Sequence, residues 1–316
     1  MITHYTIHCT FRAHCTFRAL FRLSMLSLLI FISHTKVYAK PANVLVSIKP
    51  LHSLISHITD GINQTELLLQ QQQSPHDFQL RPSQKRLLNQ ADIFFYSSDN
   101  IESFVPPLKS TNAKLQFVQL SRIADIHALP TRSFHSHEPH KSQNTLDGHI
   151  WLSIENTKII AEYVTEALSK NAPGNATRYH QNLQALLLKL QALKQTNLQL
   201  LKPYRETPFM VYHDAFQYFE LENHLSKAHF ITTSPGHSPG IKRVKALRDL
   251  ISAENIQCIF YEPPNIPSLL KTLTENKSVK LAALDPVGLQ IPMGKTHYFQ
   301  LMRQTATTLE ACFTKK

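Results

Sequence analysis

Short apolar runs alternate with amphipathic stretches through the first half of the chain. The runs are rich in β-branched and aromatic residues and have the length of strands, whereas the stretches between them place leucine and isoleucine at helical spacing. The predicted strands cover residues 44–48, 66–69, 93–96 and 117–120, and the predicted helices cover residues 50–58 and 83–89. Such alternation is typical of a parallel sheet covered by helices.

The same alternation returns in the last third of the chain. Here the predicted strands cover residues 209–212, 228–232, 256–261 and 279–284, and the predicted helices cover residues 215–221, 242–252, 267–274 and 297–312. The sequence therefore predicts a second parallel sheet of the same kind.

A long leucine repeat separates these two regions. Residues 155–168 form one predicted helix, and residues 176–201 form a second, of about 26 residues, which at 1.5 Å per residue would span roughly 39 Å. That length is enough to contact two lobes. We predict an α/β fold of two parallel-sheet lobes, at residues 40–172 and 205–316, joined by one long rigid helix at residues 173–204.

Residues 125–148 lack any apolar period and are rich in polar residues, proline and histidine. A polar segment of this length between two periodic regions is typical of a mobile surface loop. Three of its histidines, His135, His137 and His140, cluster in sequence, which suggests an auxiliary, weaker metal site; a solvated linker is the alternative.

Residues 1–39 have the pattern of a signal peptide. Arginines precede an apolar run at residues 23–32, and Val37-Tyr38-Ala39 matches a small-residue cleavage pattern, so cleavage is predicted after Ala39. The run is too short for a transmembrane helix, and no cysteine stands at the cleavage point to accept a lipid. We expect a soluble exported protein, located in the periplasm of a cell with two membranes.

The composition disfavours several classes of protein. A hydrophobic content of 42% is too high for a wholly disordered chain. The net charge of +11 is scattered without a basic run, so no nucleic-acid partner is expected. Only seven glycines are present, and none form a phosphate-cradling motif, which disfavours nucleotide binding.

Two cysteines, Cys258 and Cys312, remain once the signal peptide, with Cys9 and Cys15, is removed. In an oxidising compartment two cysteines indicate one disulfide. Two free buried thiols are the alternative.

Four side chains that bind metals stand beside predicted strands. His76 follows the second strand, His213 and Asp285 stand at strand ends in the second region, and His149 leaves the polar loop. Ligands of parallel sheets bind at the carboxyl ends of strands, so two facing lobes would bring these residues to one cleft. Three histidines and one carboxylate favour zinc over manganese. Each residue could instead have an ordinary structural role, as a hydrogen-bonded histidine or, for Asp285 before Pro286, as a turn former.

Six motifs, in order, resemble the zinc-specific substrate-binding proteins of bacterial ABC importers, the ZnuA type. They are Ser47-Ile48-Lys49-Pro50-Leu51, the stretch from Ser74-Pro75-His76-Asp77-Phe78 to Leu80-Arg81-Pro82-Ser83, His149-Ile150-Trp151-Leu152-Ser153, Tyr212-His213-Asp214-Ala215-Phe216-Gln217-Tyr218-Phe219, Glu262-Pro263 and Leu284-Asp285-Pro286-Val287-Gly288. The resemblance covers residues 43–313.

This resemblance implies a metal site in the cleft between two lobes joined by a rigid helix. It implies that His76, His149 and His213 are the ligands, with Asp285 or a water molecule in the fourth place. Pro75 stands where some zinc-binding members carry an acid, which leaves that fourth ligand open. A disulfide between Cys258 and Cys312 also matches the zinc branch of the family.

The function that follows is capture of Zn²⁺ in the periplasm and delivery to an inner-membrane ABC permease with its cytoplasmic ATPase, by a monomer that is not an enzyme. The alternatives are a carrier for manganese or ferrous iron and a zinc-dependent hydrolase. A hydrolase is disfavoured because no His-Glu-x-x-His motif is present and Glu262 would have to act as general base.

Overall fold

A computed structural model describes residues 40–70, 74–133, 145–233 and 239–314. The predicted signal peptide and the loop histidines His135, His137 and His140 lie outside the described residues. Within those ranges, no helix combines the length and the apolar character required to cross a bilayer.

Four parallel strands form a sheet in the first half of the chain, in the spatial order β2-β1-β3-β4. The elements follow one another as β1 (Val44–Val46), α1 (Lys49–Ile58), β2 (Thr65–Leu67), α2 (Pro82–Gln90), β3 (Ile93–Tyr96), α3 (Val105–Thr111) and β4 (Gln116–Gln119). All residues of the central strands β1 and β3 are buried. Because both faces are covered, these strands read in the sequence as unbroken apolar runs.

Two long helices, α4 (Ile154–Asn171) and α5 (Ala176–Leu201), follow the first sheet. Helix α5 buries one stripe of leucines, which recur every three or four residues along much of its length: Leu183, Leu186, Leu190 and Leu193. The observed helix has the same bounds as the leucine repeat that predicted it.

A second four-stranded parallel sheet has the order β6-β5-β7-β8, the same topology as the first. Its elements are β5 (Met210–His213), α6 (Gln217–Glu222), β6 (His229–Thr232), α7 (Ile241–Ala253), β7 (Cys258–Tyr261), α8 (Ser268–Thr274), β8 (Lys280–Ala283) and α9 (His297–Phe313). The predicted α/β class with two parallel-sheet lobes is confirmed. The lobe boundaries at residues 172 and 205 stay predictions.

The two lobes share one hydrophobic core. The larger core cluster contains buried residues from both sheets and from α1, α4, α5 and α9, whereas a smaller cluster belongs to the second lobe alone. Helix α9 of the second lobe packs against α5 and α1. A wide hinge swing would expose this common core to water, so small tilts and loop shifts are the motions that the packing permits.

Polar side chains of α1 reinforce this connection. Lys49 Nζ donates hydrogen bonds to the carbonyl oxygens of Leu289 (2.7 Å) and Ile291 (3.1 Å) in the second lobe. Ser53 Oγ donates to the carbonyl oxygen of Lys295 at 2.8 Å. Residues four apart lie on the same face of a helix, so α1 holds the second lobe along one polar stripe.

The described ends of the segment 125–148, on both sides of residues 134–144, contact each other. Pro130 and Leu146 form an antiparallel bridge, and Thr131 N–H donates to the carbonyl oxygen of Thr145 at 2.9 Å. The described ends of this segment are therefore paired with each other. The polar composition concealed this pairing because backbone hydrogen bonds need no apolar side chains.

The predicted disulfide is present between Cys258, the first residue of β7, and Cys312 in α9, with a sequence separation of 54. Closing a loop of that length stabilises a fold by about 4 kcal/mol in the chain-entropy model, and measured values are often smaller. The bond attaches the last helix to an interior strand of the second sheet.

We expect the double substitution Cys258→Ala and Cys312→Ala to lower the free energy of unfolding by roughly 2 kcal/mol. Urea denaturation of the wild-type and variant proteins measures this loss. Dithiothreitol should lower the stability of the wild-type protein and leave the variant unchanged. Equal stability of the two proteins without reductant would contradict the prediction.

Candidate metal centre

His76 lies on the chain that follows β2. A short 3-10 turn, Pro75–Asp77, presents it, and Ser74 caps this turn because its Oγ accepts a hydrogen bond from His76 N–H at 3.3 Å. Pro75 is buried and its ring fixes the backbone at the start of the turn. His76 is partly buried, whereas His149 and His213 are buried, so His76 is the most accessible of the three histidines.

His149 lies immediately before the 3-10 turn Ile150–Leu152 and is 4% exposed. The preceding residue, Gly148, is held by Ser97, whose Oγ donates to the carbonyl oxygen of Gly148 at 2.5 Å. On the other side, Trp151 is fully buried and its Nε1 donates to the carbonyl oxygen of Pro286 at 2.8 Å. The backbone around His149 is therefore fixed by both lobes.

His213 is the last residue of β5, an interior strand of the second sheet, and is 2% exposed. Its strand neighbour is Thr232 at the end of β6. The sequence pattern placed the strand one residue earlier, at 209–212, but the position of His213 at the carboxyl edge is as predicted.

The structure brings these three histidines together. The ring centroids are 5.6 Å apart for His76 and His149, 5.2 Å for His76 and His213, and 5.0 Å for His149 and His213. One ligand nitrogen from each residue lies within 4.8 Å of the others, and no other such group occurs in the described ranges. Nitrogens bound to one tetrahedral zinc lie about 3.4 Å apart, so small side-chain rotations suffice to close on an ion.

Two carboxylates orient two of the rings. His149 Nδ1 lies 2.7 Å from Asp147 Oδ1, and His213 Nδ1 lies 2.7 Å from Glu262 Oε1. A carboxylate accepts hydrogen bonds, so each Nδ1 carries the proton and each Nε2 is left with a free lone pair. This carboxylate–histidine arrangement fixes the tautomer and raises the basicity of a metal ligand.

The electrostatics of the site differ between the histidines. Burial, together with the neighbouring His149 and His213, lowers the pKa of His76 to about 2, so His76 is neutral at any working pH. For His149, burial works to lower the pKa, but the charge and hydrogen bond of Asp147 outweigh burial and raise it above the ordinary value of 6.5. His149 is therefore a site where protons compete with a metal.

Asp285 does not lie in the group of three. Its Oδ1 accepts hydrogen bonds from the backbone N–H groups of Val287 and Gly288, both at 2.9 Å, and its Oδ2 accepts one from Leu289 at 2.6 Å. The carboxylate thus folds the turn that carries Pro286, the residue bound by Trp151. The turn-forming role that Asp-Pro suggests in sequence is the role that these contacts support.

A further network, which sequence reasoning missed, joins the base of the polar loop to the second lobe. Arg132 Nε donates to Asp214 Oδ1 at 2.8 Å, and Arg132 Nη1 donates to Glu220 Oε2 at 2.8 Å. All three side chains are at most 8% exposed. Gln217 Nε2 also donates to Asp147 Oδ2 at 2.5 Å, so the carboxylate that orients His149 is itself held from the other lobe.

A sequence model of the ZnuA family, described as zinc-uptake complex component A, periplasmic, matches residues 44–312. The high-affinity zinc uptake system protein ZnuA of Brucella suis biovar 1 (strain 1330) is 30% identical over 306 residues, which covers 86% of this chain and 92% of the relative. The protein of the same name from Haemophilus ducreyi is 30% identical over 294 residues, with 87% and 94% covered.

Solved structures show the same fold. The crystal structure of ZnuA superposes with a TM-score of 0.73 at 21% identity, covering 87% of this chain and 100% of that one. The Zn(II)-bound ZnuA-like domain of Streptococcus pneumoniae AdcA gives a TM-score of 0.69 at 23% identity, with the same coverage. Because the family match extends from the first residue of β1 to Cys312 in α9 and includes all three grouped histidines, the chain belongs to the ZnuA family.

Proposed function

We propose that this chain captures Zn²⁺ in the periplasm and delivers it to an inner-membrane ABC permease driven by a cytoplasmic ATPase. The observation that carries the proposal is the group of three histidine nitrogens at the junction of the two lobes. The printed names of the relatives describe zinc uptake, which agrees with this donor set. The chain is a transport component and not an enzyme, because it belongs to a family described as a component of a zinc-uptake complex.

The donor set favours zinc as the cargo. Imidazole nitrogens suit zinc, whereas manganese prefers carboxylate and carbonyl oxygens. In this site the nearby carboxylates of Asp147 and Glu262 bind the imidazoles, and so they are engaged in orienting ligands. A carrier of manganese or ferrous iron remains the second candidate, and competition between metals separates the two.

For the ligands we propose His76, His149 and His213, with water or Asp285 completing the tetrahedron. Water is the ligand that the contacts favour, because both oxygens of Asp285 already accept backbone hydrogen bonds. Asp285 would have to release the turn at residues 286–289 in order to reach an ion.

The experiment that tests the proposed function is metal analysis of the exported chain, followed by competition. We expect one tightly held zinc per chain after extensive dialysis, with manganese a poor competitor in an equilibrium titration. If manganese competes equally with zinc, a carrier of manganese or ferrous iron becomes the better interpretation. Absence of bound metal would overturn the proposal.

Zinc affinity should weaken as the pH falls, because protons compete for the imidazole nitrogens. The pKa of His76 is lowered to about 2, so His76 contributes nothing to this competition. The pKa of His149 is raised above 6.5, so the zinc-free protein binds a proton there as the pH falls through that raised pKa. Below it, the loss of affinity approaches about tenfold per pH unit.

Titrations with a zinc indicator between pH 8 and 5 measure this profile, and Asp147→Asn is the matched variant. Removing the charge of Asp147 leaves burial dominant and lowers the pKa of His149, so the fall in affinity should begin at a lower pH. Affinity at pH 8 should drop about 10- to 100-fold because the ring loses its carboxylate partner. A wild-type affinity that stays constant down to pH 5 would contradict the prediction.

We propose further that His135, His137 and His140 bind a second, weaker metal ion. The chain offers a clean deletion, because Thr131 and Thr145 are hydrogen-bonded across the base of the loop. Replacing residues 134–144 by a short glycine linker should lower the zinc stoichiometry at saturating metal from two to one, with the tight site unchanged. An unchanged stoichiometry would leave the loop as a solvated linker.

The finer location and assembly are proposals as well. Cleavage after Ala39 would give a mature chain that begins at Lys40, which intact-mass measurement of the exported protein tests. A monomer suits a carrier that must leave one partner and find another, and sedimentation analysis measures the oligomeric state.

A further inference from the structure

Glu102 is a buried carboxylate that neither the ligand set nor the disulfide explains. Its residue is 0% exposed. Its Oε1 accepts hydrogen bonds from Ser47 Oγ at 2.5 Å and Ser97 N–H at 3.0 Å, and its Oε2 accepts one from Ser98 N–H at 2.8 Å. Three hydrogen bonds therefore satisfy this buried carboxylate and fix its position.

These donors lie at the carboxyl edge of the first sheet. Ser47 follows β1, and Ser97 and Ser98 follow β3, so Glu102 joins the ends of the two central strands. The same serines hold the outer strands, because Ser47 O accepts from Leu69 N–H and Ser97 O accepts from Ser121 N–H, both at 3.0 Å. Glu102 therefore stands at the centre of the edge from which the metal ligands of this lobe extend.

The turn that Glu102 holds also supports the residue before His149. Ser97 Oγ donates to the carbonyl oxygen of Gly148 at 2.5 Å. A Cβ atom added to Gly148 would lie 2.5 Å from Ile101 Cγ1 and 2.9 Å from Ser98 Cβ, so its backbone rests directly on residues 97–101. A shift of that turn would move Gly148, and His149 with it.

Burying the ionised Glu102 carboxylate lowers the stability of the folded state. Burial raises the pKa of Glu102 to about 7, against the opposing effect of the three hydrogen bonds. An acid whose pKa is raised by folding destabilises the folded state when it is ionised. Glu102 holds the turn on which the residue before His149 rests, and the fold keeps it there although its charged form is disfavoured, which indicates a role in the site.

We propose that Glu102 is a positioning residue of the metal centre, which holds the turn at residues 97–101 through Ser97 and Ser98 and thereby fixes the backbone of Gly148 and the direction of the His149 ring. The inference rests on the proposed zinc-binding function. Its effect on zinc is indirect, since the carboxylate contacts serines and not the imidazole.

The test is Glu102→Gln, which keeps the size of the side chain but places an amide NH₂ group against a backbone N–H. We expect a folded protein that holds one zinc with about tenfold or more lower affinity. With Co²⁺ as the probe, the visible absorption spectrum of the bound metal should shift, because the ligand geometry changes. Glu166→Gln is the matched control, since Glu166 is an exposed residue of α4 that contacts His180 at 3.5 Å and lies outside the turn at residues 97–101.

A double-mutant cycle shows whether the effect passes through His149. In a His149→Ala background, Glu102→Gln should cause no further loss of affinity. An equal loss in both backgrounds, or an unchanged affinity and Co²⁺ spectrum in the single variant, would overturn the inference. If Glu102→Gln does not fold, Ser47→Ala removes one hydrogen bond to Glu102. The same double-mutant cycle with His149→Ala then shows whether the loss of affinity passes through His149. Failure of the wild-type protein to bind zinc would instead refute the proposed function.

Discussion

His149→Ala should reduce zinc affinity by about 100- to 1,000-fold. Structural zinc sites with four ligands have apparent binding free energies of about 10–16 kcal/mol, so one ligand accounts for roughly 2.5–4 kcal/mol. Among the three histidines, His149 is the one held twice by the same carboxylate: Asp147 Oδ1 binds its Nδ1 and also accepts a hydrogen bond from its backbone N–H at 2.9 Å. Water that fills the space left by the ring would supply a weaker ligand without this orientation.

Competition with a zinc indicator of known affinity measures the loss, and the fold is checked by circular dichroism. The matched control is His229→Ala, a partly exposed histidine whose Nε2 contacts Glu254 outside the metal centre. That variant should bind zinc as the wild-type protein does. If His149→Ala retained wild-type affinity, the ligand set would be wrong even with one zinc bound per chain.

Much of the fold can be predicted from the sequence because its elements bury continuous apolar stripes. The helix at residues 176–201 was predicted with its observed bounds, since leucine recurs along one face and Pro173-Gly174 interrupts the chain before it. Helix α3 was not predicted. It has seven residues, of which two are prolines in its first turn, and such a segment gives almost no periodic signal.

Only part of the metal centre can be predicted from the sequence. Histidines at strand ends pointed to a common cleft, because parallel strands bring their carboxyl ends to one edge. The partner of His149 is Asp147, only two residues away, but the sequence analysis assigned it no role; the partner of His213 is Glu262, 49 residues away. The contacts of Arg132 with Asp214 and Glu220 span more than 80 residues. The pairing of His213 with Glu262 depends on the alignment of β5 and β7 in one sheet, and the contacts of Arg132 depend on how the lobes dock. No local sequence pattern records either.

Gly148→Ala should both destabilise the fold and weaken zinc binding, although it adds a single methyl group. The new Cβ would lie 2.5 Å from Ile101 Cγ1 and 2.9 Å from Ser98 Cβ, and it would overlap Ser98 Oγ. Real Cβ atoms do not approach other heavy atoms so closely, so the backbone must move. Overpacking of this kind costs about 1–3 kcal/mol, and we expect a value near the upper end because the site is buried.

Because the backbone that must move belongs to the residue next to His149, this variant should also affect zinc binding, unlike an ordinary core substitution. We expect zinc affinity to fall roughly 10- to 100-fold, as for the loss of a group that orients a ligand. Gly240→Ala is the control, since nothing in the described part of the chain lies within 4 Å of a Cβ at that position. Its zinc affinity should stay near wild type, and its stability should fall by no more than about 1 kcal/mol, the cost of alanine at the N-cap of α7. Thermal denaturation and indicator competition measure the two effects.

A second substitution tests the steric cause. Ser98→Gly in the Gly148→Ala background removes the Oγ and Cβ atoms that the new methyl group would meet, and leaves the contact with Ile101. We therefore expect partial recovery of both stability and zinc affinity. Recovery of stability without affinity would mean that the position of His149 does not depend on how residue 148 packs. A Gly148→Ala protein with wild-type affinity would show that the turn at residues 97–101 yields without moving the ligand.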